Sequence, residues 1–284
     1  MQCYRERRLT AQDGLQLYYR DYGDPLARKT PVLCLGGLTR NSADYHDVAL
    51  RLARERRVLC PDYRGRGRSD YDRDWRNYAP RTYLNDALHL LAATGVGRAI
   101  VIGTSMGGLL AMGLAVMRPL AVAGVVLNDI GPEVDSQGLA RILEYVGKDH
   151  PMPDFEHAAR FLKHLLPRLA PKADDAWWLR LAARTYRKGE DGHLHFDWDL
   201  NLARPLRGQT TTAPDLWTLY RGLARIPTLA FRGALSDVFP EEVLRRMALE
   251  KPDLVCVTVA DIGHTPTLVE PEAVSALDAF LEPL

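Results

Sequence analysis

The chain has 284 residues, of which 46% are hydrophobic and 26% are charged. This is an ordinary globular composition, and it excludes a disordered, collagen-like or coiled-coil chain. The 37 Lys and Arg residues and the 36 Asp and Glu residues leave a formal net charge of +1, so no strong field attracts nucleic acid or an anionic membrane surface. We therefore expect a small-molecule partner, with no nucleic-acid or membrane partner.

The first residues place charges where a secretory signal needs an apolar stretch. The apolar runs farther along are too short or too interrupted by glycine to cross a bilayer. These features predict a cytoplasmic protein. The sequence does not determine the oligomeric state, and a homo-oligomer is compatible with it.

The first predicted element is a hairpin with strands at 4–9 and 15–19 around Asp13-Gly14, a pair that supplies the positive φ angles of a tight turn. Short apolar runs then alternate with helical patterns, which predicts a mostly parallel sheet covered by helices on both faces. The fold class is thus α/β. The predicted strands are 32–35, 58–60, 99–102, 122–127, 228–231 and 254–259. The predicted helices are 43–53, 81–93, 105–117, 241–249 and 271–281.

One long interval interrupts this alternation. Residues 131–222 contain amphipathic segments and four of the five tryptophans, which predicts a helical insertion seated on the sheet. The core is then formed by residues 1–130 and 223–284. Within the insertion, His193, His195 and Asp197 alternate along one short segment. Three ligands without a fourth do not make a zinc site, so we expect a surface hairpin there and no metal.

The strongest motif occupies residues 103–108, Gly-Thr-Ser-Met-Gly-Gly, directly after the predicted strand 99–102 and before a helical pattern. This is G-x-S-x-G in a strand-turn-helix context. Flanking glycines permit a turn so sharp that the Ser105 hydroxyl lies above the sheet, at the start of a helix whose dipole favours negative charge. A phosphate-binding loop or a plain tight turn is the alternative, but no P-loop lysine follows and the spacing is not G-x-G-x-x-G.

With this motif and the element order, the chain resembles the α/β-hydrolase family over nearly its whole length. The resemblance implies an α/β-hydrolase fold with a mostly parallel central sheet and an inserted helical cap at 131–222. It also implies that Ser105 is a catalytic nucleophile.

A serine hydroxyl needs a base, and an imidazole that exchanges a proton near neutral pH is suited to this role. His264 follows the last predicted strand in a segment that resembles the family's G-H-x-P loop. An acid must then orient the imidazole. Asp237, just past the strand 228–231, fits the chain order Ser, Asp, His. Asp129, just past the strand 122–127, is the rival, since some family members place their acid there.

The family resemblance also implies an oxyanion hole made of two backbone N–H groups, those of Met106 and Leu38. Relatives usually show His-Gly where this chain has Gly36-Gly37. The segment 62–69 resembles the family's D-x-R-G-x-G-x-S and is interpreted as structural, because Asp62 and Ser69 can bond loop backbone. The alternative is that its arginines bind an anionic substrate.

The sharp turn at residues 103–108 is called the elbow below. A serine at this turn excludes the epoxide hydrolases and haloalkane dehalogenases of the resembled fold, which use aspartate there. We expect a serine hydrolase that acts on a small carboxylic ester or lactone through an acyl-enzyme, with no cofactor. The alternatives on the same triad are a carbon–carbon bond hydrolase, a thioesterase, a cofactor-free perhydrolase and an acyltransferase. A different class is a receptor that binds a small ligand without turnover.

Overall fold

The centre of the molecule is one eight-stranded sheet, seen in a computed structural model that describes residues 3–207 and 215–284. Residues 208–214 of the predicted insertion lie outside this description. The strands are β1 (Arg5–Thr10), β2 (Gln16–Tyr22), β3 (Val32–Leu35), β4 (Val58–Pro61), β5 (Ala99–Thr104), β6 (Val122–Asn128), β7 (Tyr186–Lys188), β8 (Leu194–Phe196), β9 (Thr228–Gly233) and β10 (Val255–Val259). The sheet order is β1-β2-β4-β3-β5-β6-β9-β10, whereas β7 and β8 form a separate antiparallel pair.

Two antiparallel pairings, β1 with β2 and β2 with β4, begin the large sheet, and every later pairing is parallel. The α-helices are α1 (His46–Leu52), α2 (Pro80–Ala93), α3 (Met106–Met117), α4 (Ser136–Val146), α5 (Phe155–Leu165), α6 (Asp175–Thr185), α7 (Arg204–Arg207), α8 (Leu216–Arg221), α9 (Glu241–Glu250) and α10 (Pro271–Leu281). The predicted α/β-hydrolase fold class is confirmed. Within the described ranges, no helix combines the length and apolar character needed to cross a membrane.

The burial of the central strands explains why their sequences are apolar. All residues of β3 and β6 are buried, as is β5 except for its last residue. The strand predicted at 254–259 is present as β10, but most of it is not buried: Val255 is 46% exposed and Cys256 is exposed. This strand pairs only with β9 and forms the edge of the sheet, so its apolar run is not covered as a central strand would be.

Between β6 and β9 the chain leaves the sheet, and its described residues form five α-helices and the β7–β8 hairpin. Four of these helices begin after an aspartate whose side chain accepts a backbone N–H of the first turn: Asp135, Asp154, Asp174 and Asp215. Such caps satisfy donors that have no intrahelical partner and each contributes about 1 kcal/mol. The helical character predicted for this segment therefore has a local origin.

Candidate active site

The turn at Ser105 joins β5 to α3 and forces the backbone into an unusual conformation. Ser105 has φ +51° and ψ −119°, a region that costs a non-glycine residue about 1–3 kcal/mol. A Cβ on Gly103 would lie 2.3 Å from the Gly107 carbonyl oxygen, and one on Gly107 would lie 2.0 Å from the Leu35 carbonyl oxygen. The flanking glycines are therefore required by backbone packing on both sides of the turn.

Three side chains from distant parts of the chain form a hydrogen-bonded series at this turn. His264 Nε2 lies 2.9 Å from Ser105 Oγ, and His264 Nδ1 lies 2.6 Å from Asp129 Oδ2. The sequence placed Ser105 and His264 together, and the structure does the same. An imidazole held between a hydroxyl and a carboxylate can accept the hydroxyl proton and share its second N–H with the acid.

Asp129 is fully buried, and its carboxylate accepts hydrogen bonds from neutral donors and from His264. Its Oδ1 accepts the Gly233 N–H at 2.7 Å, and its Oδ2 accepts the Ser236 hydroxyl at 2.6 Å. Like Ser105, Asp129 has a positive φ, +55°, directly after β6. Ser236, which sequence reasoning did not single out, thus holds the carboxylate that faces His264.

The placement predicted for Asp237 beside His264 is wrong. Asp237 instead forms a two-point ion pair with Arg141 of α4, with N–O distances of 2.8 and 2.9 Å. In the loop after β9, Ser236 is the residue that points toward Asp129, so the next side chain points away, toward α4. The loops after β6 and β9 are neighbours in a parallel pairing, which is why the strand order alone left both acids eligible.

Asn128 ties the elbow to the loop of His264. Its Nδ2 donates to Thr104 Oγ1 at 3.1 Å and to the Pro266 carbonyl oxygen at 2.9 Å. Tyr45 supports the same strand end through its hydroxyl, 2.7 Å from Thr104 Oγ1, and burial raises the pKa of this phenol. These contacts fix the relative positions of the two loops that carry Ser105 and His264.

The loop after β3 lies beside the elbow. A Cβ built on Gly37 would be 3.7 Å from the Ser105 Cβ, so this loop approaches the serine closely. In the described part of the chain, the N–H groups of Leu38 and Met106 donate to no acceptor. The first N–H of a helix has no intrahelical partner, so α3 leaves the Met106 donor available at this position.

Arg66 positions the loop after β3. Its side chain is fully buried, and its Nε donates to the Leu38 carbonyl oxygen while both Nη atoms lie 3.2 Å from the Tyr83 hydroxyl. The sequence interpretation gave the segment 62–69 a structural role but did not connect it with Leu38. A buried guanidinium must be hydrogen-bonded, and here one partner is the loop beside Ser105.

The other residues of the segment 62–69 also bond locally. Arg64 pairs with Asp86, Asp13 and Asp72, and Arg68 pairs with Glu6. Asp62 accepts the Ser42 and Arg68 N–H groups, while the Ser69 hydroxyl donates to the Asp62 carbonyl oxygen. The structural interpretation of this segment is confirmed, because its arginines are engaged by carboxylates and backbone.

Two cavities meet His264. The first, about 230 Å³, is lined by Ser105, the loop after β3 and side chains of α4, α5 and α6. The second, about 570 Å³, is lined by α4, Asp237 and the start of α9. Only the first contains Ser105, and it is smaller than the ~300–1,000 Å³ of usual drug-sized ligand sites. It has room for a small substrate.

The segment that contains His193, His195 and Asp197 forms the predicted hairpin. His195 Nδ1 lies 2.5 Å from Asp149 Oδ2, and its Nε2 lies 3.0 Å from Asp191 Oδ1. Among the described residues, no group of three or more His, Cys, Asp or Glu side chains could hold a metal ion.

Asp197, at the end of this hairpin, contacts the loop that follows β3. Its Oδ2 accepts from Asn41 Nδ2 at 3.0 Å. Burial raises the pKa of Asp197 to about 7, with the nearby Asp62 charge adding to the effect. Between about pH 4 and pH 7, Asp197 is therefore protonated in the folded protein but ionised in the unfolded chain. The free energy of unfolding falls as the pH rises through this window.

Replacing Asp197 by Asn removes this ionisation while keeping an oxygen acceptor for Asn41. We expect the variant to gain stability over the wild type as the pH is raised from 4 to 8, reaching about 1–3 kcal/mol at pH 8. Urea unfolding measured across this range checks the prediction. A stability difference that does not change with pH would contradict it.

Comparison with known proteins places the chain in a family. Residues 32–277 match the model of the alpha/beta hydrolase family. An α/β hydrolase from Novosphingobium aromaticivorans of known structure is 44% identical, with a TM-score of 0.95 and complete coverage of both chains. The chain belongs to the α/β-hydrolase family.

Two relatives have more particular names. The 3-hydroxybutyrate-oligomer hydrolase of Cupriavidus necator is 33% identical over 274 residues, which covers 93% of this chain and 92% of that protein. The 2-(acetamidomethylene)succinate hydrolase of Mesorhizobium japonicum is 26% identical over 254 residues, covering 88% and 87%. A solved E-2-(acetamidomethylene)succinate hydrolase is 25% identical with a TM-score of 0.84 and covers 98% of this chain and 99% of that one. This chain is therefore similar to hydrolases along nearly its entire length.

Proposed function

We propose that this protein is a serine hydrolase that cleaves a small carboxylic ester through an acyl-enzyme. Ser105 is the nucleophile, His264 is the general base and acid, and Asp129 orients the imidazole. The observation that carries the proposal is the continuous series from Asp129 Oδ2 to His264 at 2.6 Å and from His264 to Ser105 Oγ at 2.9 Å.

In the proposed first step, His264 Nε2 takes the Ser105 proton as Oγ forms a bond to the ester carbonyl carbon. The carbonyl oxygen becomes an oxyanion, and the free N–H groups of Leu38 and Met106 donate to it. His264, now an imidazolium with its Nδ1–H on Asp129, gives its proton to the leaving alcohol as the ester bond breaks. Water then repeats these steps on the acyl-serine and releases the acid.

Only proton transfers and hydrogen bonds are needed for these steps, so the proposal includes no cofactor. Arg66 acts through its bond to the Leu38 carbonyl oxygen, which holds the loop of one oxyanion donor. Gly36-Gly37 stands where relatives usually show His-Gly, and the buried Arg66 bonds the next residue of this loop. Removing one oxyanion donor typically costs about 10²–10³ in kcat.

The segment 131–222 is proposed to be a cap that covers the substrate. Its residues Tyr145, Leu162, Trp177 and Leu181 line the cavity that contains Ser105. These apolar side chains form one part of the wall, and apolar surface of this kind is typical of small-molecule sites. The small volume of this cavity, about 230 Å³, supports a short substrate chain.

The relative that hydrolyses 3-hydroxybutyrate oligomers supports an ester of a hydroxy acid as the first substrate to test. Thioesters, lactones and diketones belong in the same panel, because fold membership does not choose among them.

The test is pre-steady-state kinetics with 4-nitrophenyl acetate and butyrate, followed by mass spectrometry of the quenched protein. We expect a burst of nitrophenolate of about one equivalent when deacylation is the slower step. The acyl mass should be found on the peptide that contains Ser105. Turnover without an acylated serine, or an absence of turnover with every member of the panel, would overturn the proposal.

A further inference from the structure

The cavity at Ser105 has an unusual concentration of guanidinium groups. Although the chain as a whole has a formal net charge of +1, the wall of this small cavity contains four arginines: Arg40, Arg141, Arg180 and Arg184. Two carboxylates, those of Asp44 and Asp47, belong to the same wall. Guanidinium groups donate in a planar fork that matches a carboxylate.

Three of the four arginines are already paired. Arg40 binds both oxygens of Asp44 at 2.6 Å and donates to Thr185 Oγ1 at 2.9 Å. Burial of the Arg40 guanidinium lowers its pKa, but the adjacent Asp44 carboxylate outweighs this effect and the net pKa is raised. These contacts leave Arg40 fully charged and held in place.

The next two pairs use carboxylates on both sides of the cavity. Arg184 Nη2 lies 2.8 Å from Asp47 Oδ2, and Arg141 forms its two-point pair with Asp237. Three guanidinium charges are thus balanced by three carboxylates, and no carboxylate of the described residues balances the fourth.

The fourth arginine is Arg180. It is an exposed residue that lines the cavity, and among the described residues it donates no hydrogen bond and forms no ion pair. It follows Trp177 by three positions and precedes Arg184 by four, so α6 presents one face with all three side chains to the cavity. Two like charges four residues apart repel, and an anion bound at Arg180 relieves that repulsion.

We propose that the substrate is an ester that also carries an ionised carboxylate, and that Arg180 binds this group. The inference rests on the proposed ester hydrolysis. One unbalanced positive charge matches the single negative charge of a carboxylate, whereas a phosphate dianion would leave an excess negative charge. With the carboxylate on Arg180, the apolar side chains between α6 and the elbow contact the carbon chain, and the ester carbonyl lies at Ser105. Arg180 is therefore a specificity-determining residue.

The test compares two substrates of equal length, the linear dimer of 3-hydroxybutyrate and its primary amide, which lacks the negative charge and offers the same single ester bond. For the wild type, we expect kcat/KM to be about 3- to 5-fold higher on the anionic dimer, because solvent screens an ion pair made by an exposed guanidinium. In Arg180→Ala, the ratio of the two kcat/KM values should collapse toward one, mainly through a higher KM for the anion. Arg180→Lys should retain part of the ratio, and Arg180→Glu should reverse it.

Arg160→Ala is the matched control. Arg160 is an exposed arginine of α5 that does not line the cavity, so its removal changes the net charge equally and should leave the ratio at the wild-type value. Equal kcat/KM of the wild type for both substrates, or an unchanged ratio in Arg180→Ala, overturns the inference while ester hydrolysis stands. Absence of hydrolysis of either dimer and of the nitrophenyl esters overturns both proposals together.

Discussion

Replacing Asp129 by Asn is expected to lower kcat by about 10⁴-fold with little change in KM. Asp129 Oδ2 accepts from both His264 Nδ1 and the Ser236 hydroxyl, while Oδ1 accepts the Gly233 N–H. An amide in this place has only one accepting atom, so its NH₂ faces either a backbone donor or the imidazole. The imidazole is then held in the wrong tautomer, with a proton on the nitrogen that must receive one from Ser105. Steady-state kinetics on 4-nitrophenyl butyrate measure the effect.

The matched control is Asp237→Asn, the same chemical change at the acid that sequence order favoured. Asp237 contacts Arg141 rather than His264, and its side chain is 20% exposed. We expect kcat within about 3-fold of the wild type, since a partly exposed ion pair contributes only about 1 kcal/mol or less to stability. A loss of activity in Asp237→Asn equal to that in Asp129→Asn would contradict the assignment of the acid.

The largest expected effect is that of Ser105→Ala, which should reduce kcat by about 10⁵- to 10⁶-fold. The hydroxyl is the atom that bonds the acyl group, and no other oxygen lies within hydrogen-bond distance of His264 Nε2 among the described residues. Alanine keeps the Cβ and the turn, so the free energy of unfolding should change by less than about 1 kcal/mol. Ester hydrolysis and labelling by a fluorophosphonate measure the loss.

Ser275→Ala is a suitable control for the labelling. Ser275 is an exposed serine in α10 with no contact to the elbow, and the variant should label at the wild-type rate. Labelling or hydrolysis that survives in Ser105→Ala would show that a different nucleophile performs the reaction.

Patterns that are local in the chain predicted much of the molecule. The buried strands β3, β5 and β6, the hairpin at Asp13-Gly14 and the helical segment after β6 follow from apolar runs, turn residues and aspartate caps that act over a few positions. The elbow belongs to the same group, because Gly103 and Gly107 are required by the turn they flank. The apolar run of β10 was misleading, since its neighbours in space, not its composition, decide that it is an edge.

The tertiary structure alone decided which acid faces His264, which carbonyl oxygen Arg66 bonds and which cavity arginine has no ion-pair partner among residues 3–207 and 215–284. Each depends on the direction of a side chain relative to a partner many residues away, such as the 135 positions between Asp129 and His264. Sequence determined that two acids follow adjacent strands and that a serine stands on a sharp turn. It could not determine that Ser236 points inward and Asp237 outward, because a one-residue difference in loop geometry reverses that choice without changing any local pattern.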